Sequence, residues 1–141
     1  MSWQPPTELL DLRRVGIIAL DTETKDDRLR ADMGSGWVFR SGHICGINVA
    51  YRAESEVRGF YLPLAHPDTQ NFSPEQVYQW VRDHIAAGIR FVTQNGAYDW
   101  GWLRTEASIK MPPAEQLEEI GALATIVDEN RLRYSLDALC Q

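Results

Sequence analysis

The sequence predicts an α/β fold, a mixed sheet flanked by helices, and three observations carry that expectation. Apolar, partly β-branched runs of strand length stand at residues 15–20, 44–51, 57–62 and 89–93. Between the third and fourth runs, Val77, Trp80, Val81 and Ile85 recur at helical spacing and read as the core face of a helix. After the fourth run, Asn95, Asp99 and Leu103 are each four residues apart, so in a helix they line one face. A chain of 141 residues can bury a core for one such domain.

Taken in order, residues 1–14 are an extended lead-in, with Trp3 expected to pack on the body, and residues 15–141 are the domain. The first strand, 15–20, contains no charge and ends at Asp21-Thr22-Glu23. Residues 24–41, with Lys25-Asp26-Asp27, Gly34-Ser35-Gly36 and Ser41-Gly42 at the end, are a long polar loop, well placed to shape a groove beside those acids. The next two runs form an antiparallel hairpin around residues 52–56, and Pro63, Pro67 and the polar stretch 68–71 connect it onward. Ser73-Pro74-Glu75-Gln76 is a helix start, with Ser as N-cap, Pro in the first turn and Gln closing a capping box. Gly88 ends that helix, Pro112-Pro113 breaks the chain after Met111, and residues 115–119 lead into a further helix. Strand, hairpin, helix, strand, helix is the order of a ribonuclease H-like sheet, with the first strand central and the acids at its edge.

Composition narrows the class without naming a function. A net charge of −6 argues against a broad basic surface for nucleic acid. No run approaches the roughly 20 apolar residues of a membrane span, and no signal peptide opens the chain, so a cytoplasmic location and no membrane partner are expected. Cys45 and Cys140 lie far apart, which argues against a disulfide framework and fits a reducing compartment. His43, His66 and His84 are scattered, without zinc spacing, and read as surface or loop histidines.

The chemistry concentrates at Asp21 and Glu23. Side chains in a strand repeat every second residue, so the two carboxylates share one side. Held together and buried, they would repel unless a cation sat between them, and all-oxygen ligands favour Mg²⁺ or Mn²⁺. The competing reading is that Asp21 caps a turn while Glu23 is solvated. Asp99, in the first turns of the helix after residues 89–93, is an acid that could join them from distant sequence. Taken alone, Asn95 and Asp99 are a weak signal and read more often as an N-cap and a surface acid.

These residues carry a family resemblance. Ile18-Ala19-Leu20-Asp21-Thr22-Glu23-Thr24, followed by Gln94-Asn95-Gly96-Ala97-Tyr98-Asp99-Trp100-Gly101-Trp102-Leu103, resembles the first two motifs of the DEDD-type 3′–5′ exonucleases. The likeness is to the proofreading domain of family A DNA polymerases and to phage-encoded relatives. A third stretch, 119–130 followed by Tyr134-Ser135-Leu136-Asp137-Ala138-Leu139, is similar to the family's next helix, its turn and the helix after it. The family often opens that helix with Asp-Thr, where this chain has Glu119-Ile120.

The resemblance implies hydrolysis of the 3′-terminal phosphodiester of single-stranded DNA by two Mg²⁺ or Mn²⁺ ions, in replication proofreading or repair. Asp21, Glu23 and Asp99 would be the catalytic, metal-binding carboxylates, Asp21 bridging both ions and Glu23 also touching the terminal sugar. Thr22, Asn95 and Leu103 would contact substrate, Asn95 also orienting Asp99 or the strand backbone. The partners implied are a DNA 3′ end and a DNA polymerase domain or replication protein, in a bacterial or phage-infected cell. Two divalent ions would outweigh three carboxylates and reverse the local sign, so the acidic net charge does not exclude this. Arg28, Arg30, Arg104, Arg131 and Arg133 lie near the motifs as phosphate contacts or, more commonly, solvated charges. Trp100 or Trp102 could stack on a base, although core packing is the commoner fate.

The family's last motif, a Tyr or His followed four or five residues later by an Asp, is absent, and Tyr134 with Asp137 has the wrong spacing. The chain is therefore expected to be the front part of an exonuclease domain, incomplete at its C-terminus and weak or inactive alone. Two alternatives stand beside it: an inactive nucleic-acid-binding relative of the same fold, and an interaction module whose acids are surface caps that diverge in space.

Overall fold

A computed structural model describes residues 5–131 and 133–140 of the chain; Trp3 lies outside them. The protein is an α/β structure with a five-stranded mixed sheet in the order β3-β2-β1-β4-β5. The strands are β1 (Ile17–Lys25), β2 (His43–Ala53), β3 (Glu56–Pro63), β4 (Arg90–Thr93) and β5 (Leu117–Glu119). β2 runs antiparallel to both β1 and β3, whereas β4 is parallel to β1 and β5 parallel to β4. Helices flank the sheet: α1 (Asp27–Arg30), α2 (Gly36–Phe39), α3 (Pro74–Ala86), α4 (Gly96–Ala107), α5 (Ile120–Val127) and α6 (Leu136–Leu139).

The period-two pattern of the strands decides which face is buried. Ile18, Leu20 and Thr22 on β1 alternate with outward residues and lie beside Val49 and Ile47 on β2. Leu62 continues this face on β3, and α4 packs on β1 and β2, with α3 alongside it. Phe91 from β4 meets the Trp100 ring edge-on, at 5.3 Å between centroids, so one aromatic pair joins the sheet to α4. The opposite face of β1 and β2 presents Asp21, Glu23 and Asn48.

Five features differ from the sequence reading. β1 does not end at the acids but continues to Lys25, because β2 is long enough to pair with it as far as His43, through an irregularity between Glu23 and Thr24. Residues 117–119, expected to lead into a helix, instead form β5. Leu-Glu-Glu has no strand signature, and the free edge of β4 supplies the pairing that local propensity lacks. The stretch 24–41 is not wholly loop, since it holds the single-turn helices α1 and α2. Buried Asp26 organises it, accepting hydrogen bonds from Leu29 N, Gly36 N and the Tyr98 hydroxyl. The Trp37 ring then lies against Gly101 of α4, where any β-carbon would collide with it.

The fourth is His84, which is a core residue and not a surface one. Its Nε2 accepts from Leu12 N at 3.0 Å and its Nδ1 faces Trp80 O at 2.7 Å, so the proton resides on Nδ1. Burial pushes its pKa down, and together with the bond from Trp80 Nε1 to Leu10 O it fixes the lead-in onto α3. Ser73 occupies the N-cap position of α3 but makes no side-chain cap bond, so the capping box does not form. Ser73→Ala should therefore change unfolding free energy by less than about 0.5 kcal/mol in urea titration, where a working cap would cost about 1 kcal/mol. Cys45 and Cys140 are free thiols. Among the described residues no helix is long and apolar enough to cross a membrane.

Candidate active site

The pairing of β4 with β1 stops at Ala19, so the β4-side edge of β1 lies open beside the acids. The chain leaves β4 at Thr93 and enters α4 at Gly96, which brings Asp99 to that open edge. Asp99 Oδ1 accepts from Thr22 N at 2.8 Å and from Thr22 Oγ1 at 2.6 Å. Thr22 is thus a bridge between the first and second sequence motifs, joining positions that are 77 residues apart. Those two bonds leave Asp99 Oδ2 outside them.

Asp21 and Glu23 share a sheet face and are both exposed. Asn48, directly opposite Asp21 on β2, donates from Nδ2 to Asp21 Oδ2 at 3.2 Å and to Glu23 Oε1 at 3.0 Å. The sequence reading expected these two to bear the cost of burial, yet Asp99 bears it, with only 2% of its surface exposed. Burial pushes the Asp99 carboxyl up to about 6, the Thr22 hydrogen bonds oppose that rise, and the charge of Asp21 adds to it.

Beside Glu23 opens a pocket of about 400 Å³ lined by Glu23, Thr24, Cys45, Asn48, Tyr61 and His66. The Tyr61 hydroxyl and His66 Nε2 are 2.5 Å apart, and the Tyr61 ring lies across Gly46, the cross-strand partner of Glu23. Burial pushes the Tyr61 hydroxyl pKa up to about 12, so it stays protonated. A larger cavity of about 800 Å³, between the lead-in and α3, includes none of the three acids among its lining residues.

Neither a protein-family model nor a curated protein matches the sequence.

The other expected site residues fall in different places. Asn95 is exposed at the N-cap position of α4, with left-handed backbone at φ 60° and no side-chain cap bond. The work expected of its side chain at the helix start is done by Glu119, which sequence reasoning did not assign to the site. That carboxylate accepts from Asn95 N at 2.7 Å, Gly96 N at 2.8 Å and Thr93 Oγ1 at 3.2 Å, and also caps α5 through Gly121 N. The hints were an acid directly before an apolar helical run and its place where the resembled family has an Asp. Leu103, Trp100 and Trp102 are buried in the core, so their placement is that of packing residues. Arg28 is engaged locally, donating to Met33 O and lying over the Phe39 ring at 3.8 Å. Arg131 pairs with Asp128.

The donor chemistry suits a hard divalent cation. Asp21, Glu23 and Asp99 offer only oxygens. The adjacent charges on β1 and the raised carboxyl of Asp99 are both conditions that a cation relieves. Among the described residues, no three His, Cys, Asp or Glu side chains already stand together as a metal-holding group. The arrangement is a pair on one sheet face and a third acid at the strand edge.

Proposed function

We propose that the chain is the front part of a 3′–5′ exonuclease domain with a ribonuclease H-like sheet, acting on the 3′ end of single-stranded DNA in replication or repair. The observation that carries this reading is the bond from Thr22 to Asp99. It sets an acid of α4 against the strand segment that bears Asp21 and Glu23, and so favours convergence over the diverging surface caps of an interaction module. The central position of β1 and the open edge beside its acids are further support.

In this reading Asp21, Glu23 and Asp99 would hold two Mg²⁺ or Mn²⁺ ions, which would supply an activated water and neutralise charge at the scissile phosphate. Thr22 fixes one oxygen of Asp99 and thereby its orientation. The Glu23 pocket offers a recess next to the carboxylates. Exposed Leu123, Ile126 and Val127 give α5 an apolar face in search of a cover, which fits a domain that further chain completes. A relative that binds a strand without cutting it is the second reading, favoured by the lack of a ready three-acid group among the described residues.

The test is Mn²⁺-dependent nucleotide release from a 3′-labelled single strand, by this chain and by any longer product of its reading frame. Release that Asp21→Ala abolishes is the expected result, with this chain alone slow. Strand binding without release in either protein would favour the second reading.

A further inference from the structure

We infer that Asn48 is a positioning residue that gathers Asp21 and Glu23 into one orientation ready for a divalent cation, an inference that rests on the metal-site reading above. Two neighbouring carboxylates repel, and an unassisted pair on an exposed face would splay toward water. Here a single Nδ2 donates one proton to each carboxylate, using both hydrogens of the amide. The amide can face only one way. Turned over, it would set its carbonyl oxygen against two anions.

The scaffold beneath this amide is fixed. Asn48 lies in the middle strand of a three-stranded section, paired to Asp21 on one side and to Tyr61 on the other. Its neighbours Ile47 and Val49 are buried. A donor on such a strand holds its angle better than one on a loop.

The residue type also suits the task. A Lys or Arg here would neutralise the pair and repel an incoming cation. A neutral amide offsets the repulsion and leaves the negative charge of both acids in place for the cation. No aspect of the core requires the side chain, because it lies on the face away from Leu20 and Ile47.

The test measures Mn²⁺ affinity without substrate, from the electron paramagnetic resonance signal of free Mn²⁺, in the wild-type chain, Asp21→Asn, Asn48→Leu and Asn48→Ser. Leu keeps the branching and the number of side-chain heavy atoms of Asn and removes the donor, whereas Ser keeps one short donor. The expected result is binding that Asp21→Asn removes, that Asn48→Leu weakens about tenfold or more, and that Asn48→Ser weakens less. Metal-free melting temperatures of the Asn48 variants should stay within about 3 °C of wild type, as for surface substitutions. A purely structural role would move melting and spare the affinity. Should both Asn48 variants bind Mn²⁺ like wild type while Asp21→Asn does not, the positioning role is overturned and the metal reading stands. Absence of Mn²⁺ binding in the wild type, or binding indifferent to Asp21→Asn, overturns both.

Discussion

Asp99→Asn should yield a protein that is more stable than wild type at pH 8 and that loses the proposed chemistry. The Asp99 carboxyl is raised by burial to about 6, from the 3.8 usual for an aspartate. The folded state therefore holds this proton more tightly than the unfolded state does. Stability from this group is fully present below about pH 4 and is lost as the pH rises through about 6. At 1.36 kcal/mol per unit, the loss is on the order of 2–3 kcal/mol. Asn keeps an oxygen for both Thr22 bonds and carries no charge, so it escapes that loss.

The variant should melt roughly 5–10 °C above wild type at pH 8, and the gap should close toward pH 4. Equal melting curves at both pH values would show that the buried charge costs nothing. In whichever protein releases nucleotides, the same change should lower the rate by about two to three powers of ten, because a charged oxygen donor has gone. A gain of stability with a loss of activity is the pattern of a site whose strain is functional.

The second large effect belongs to Trp102. Its side chain is completely buried in α4, its ring meets Tyr98 edge-on at 6.4 Å, and its far end lies against Gly42. Trp102→Ala should cost about 3–5 kcal/mol in urea unfolding, the range for emptying a large aromatic site. Trp102→Phe should recover part of that loss. The damage should also reach the candidate site. Tyr98 bonds to Thr24 just beyond Glu23 and to Asp26, the residue that organises the segment with α1 and α2. A cost below about 1 kcal/mol would mean that the core collapses around the gap.

The parts of this structure that sequence revealed are those encoded by local pattern. β2 and β3 were legible as apolar runs of strand length, α3 from apolar residues at helical spacing, and α4 from Asn95, Asp99 and Leu103 recurring every four residues. The shared face of Asp21 and Glu23 follows from strand geometry alone. β5 was hidden because three residues without strand character pair only when β4 is already in place. His84 was hidden too: an isolated histidine within a helical pattern carries no sign that the lead-in will return to cover it. The approach of Asp99 to Thr22 is a contact across most of the domain, so spacing could suggest it but only the fold could make it. Asn48 escaped notice because its value depends on register. A shift of one residue would turn its amide into the core and leave the acids unbridged.

The strand order has a consequence for how the protein behaves among its own copies. An exposed sheet edge is a template on which another chain can add a strand and begin to aggregate. One edge here is β5, only three residues long and bearing Glu118 and Glu119. The other is β3, where Glu56 and Arg58 stand exposed at one end and Pro63, which has no backbone proton to donate, stands at the other. The two longest strands, β1 and β2, are kept in the interior of the sheet. Crowding should therefore find little to extend at either border.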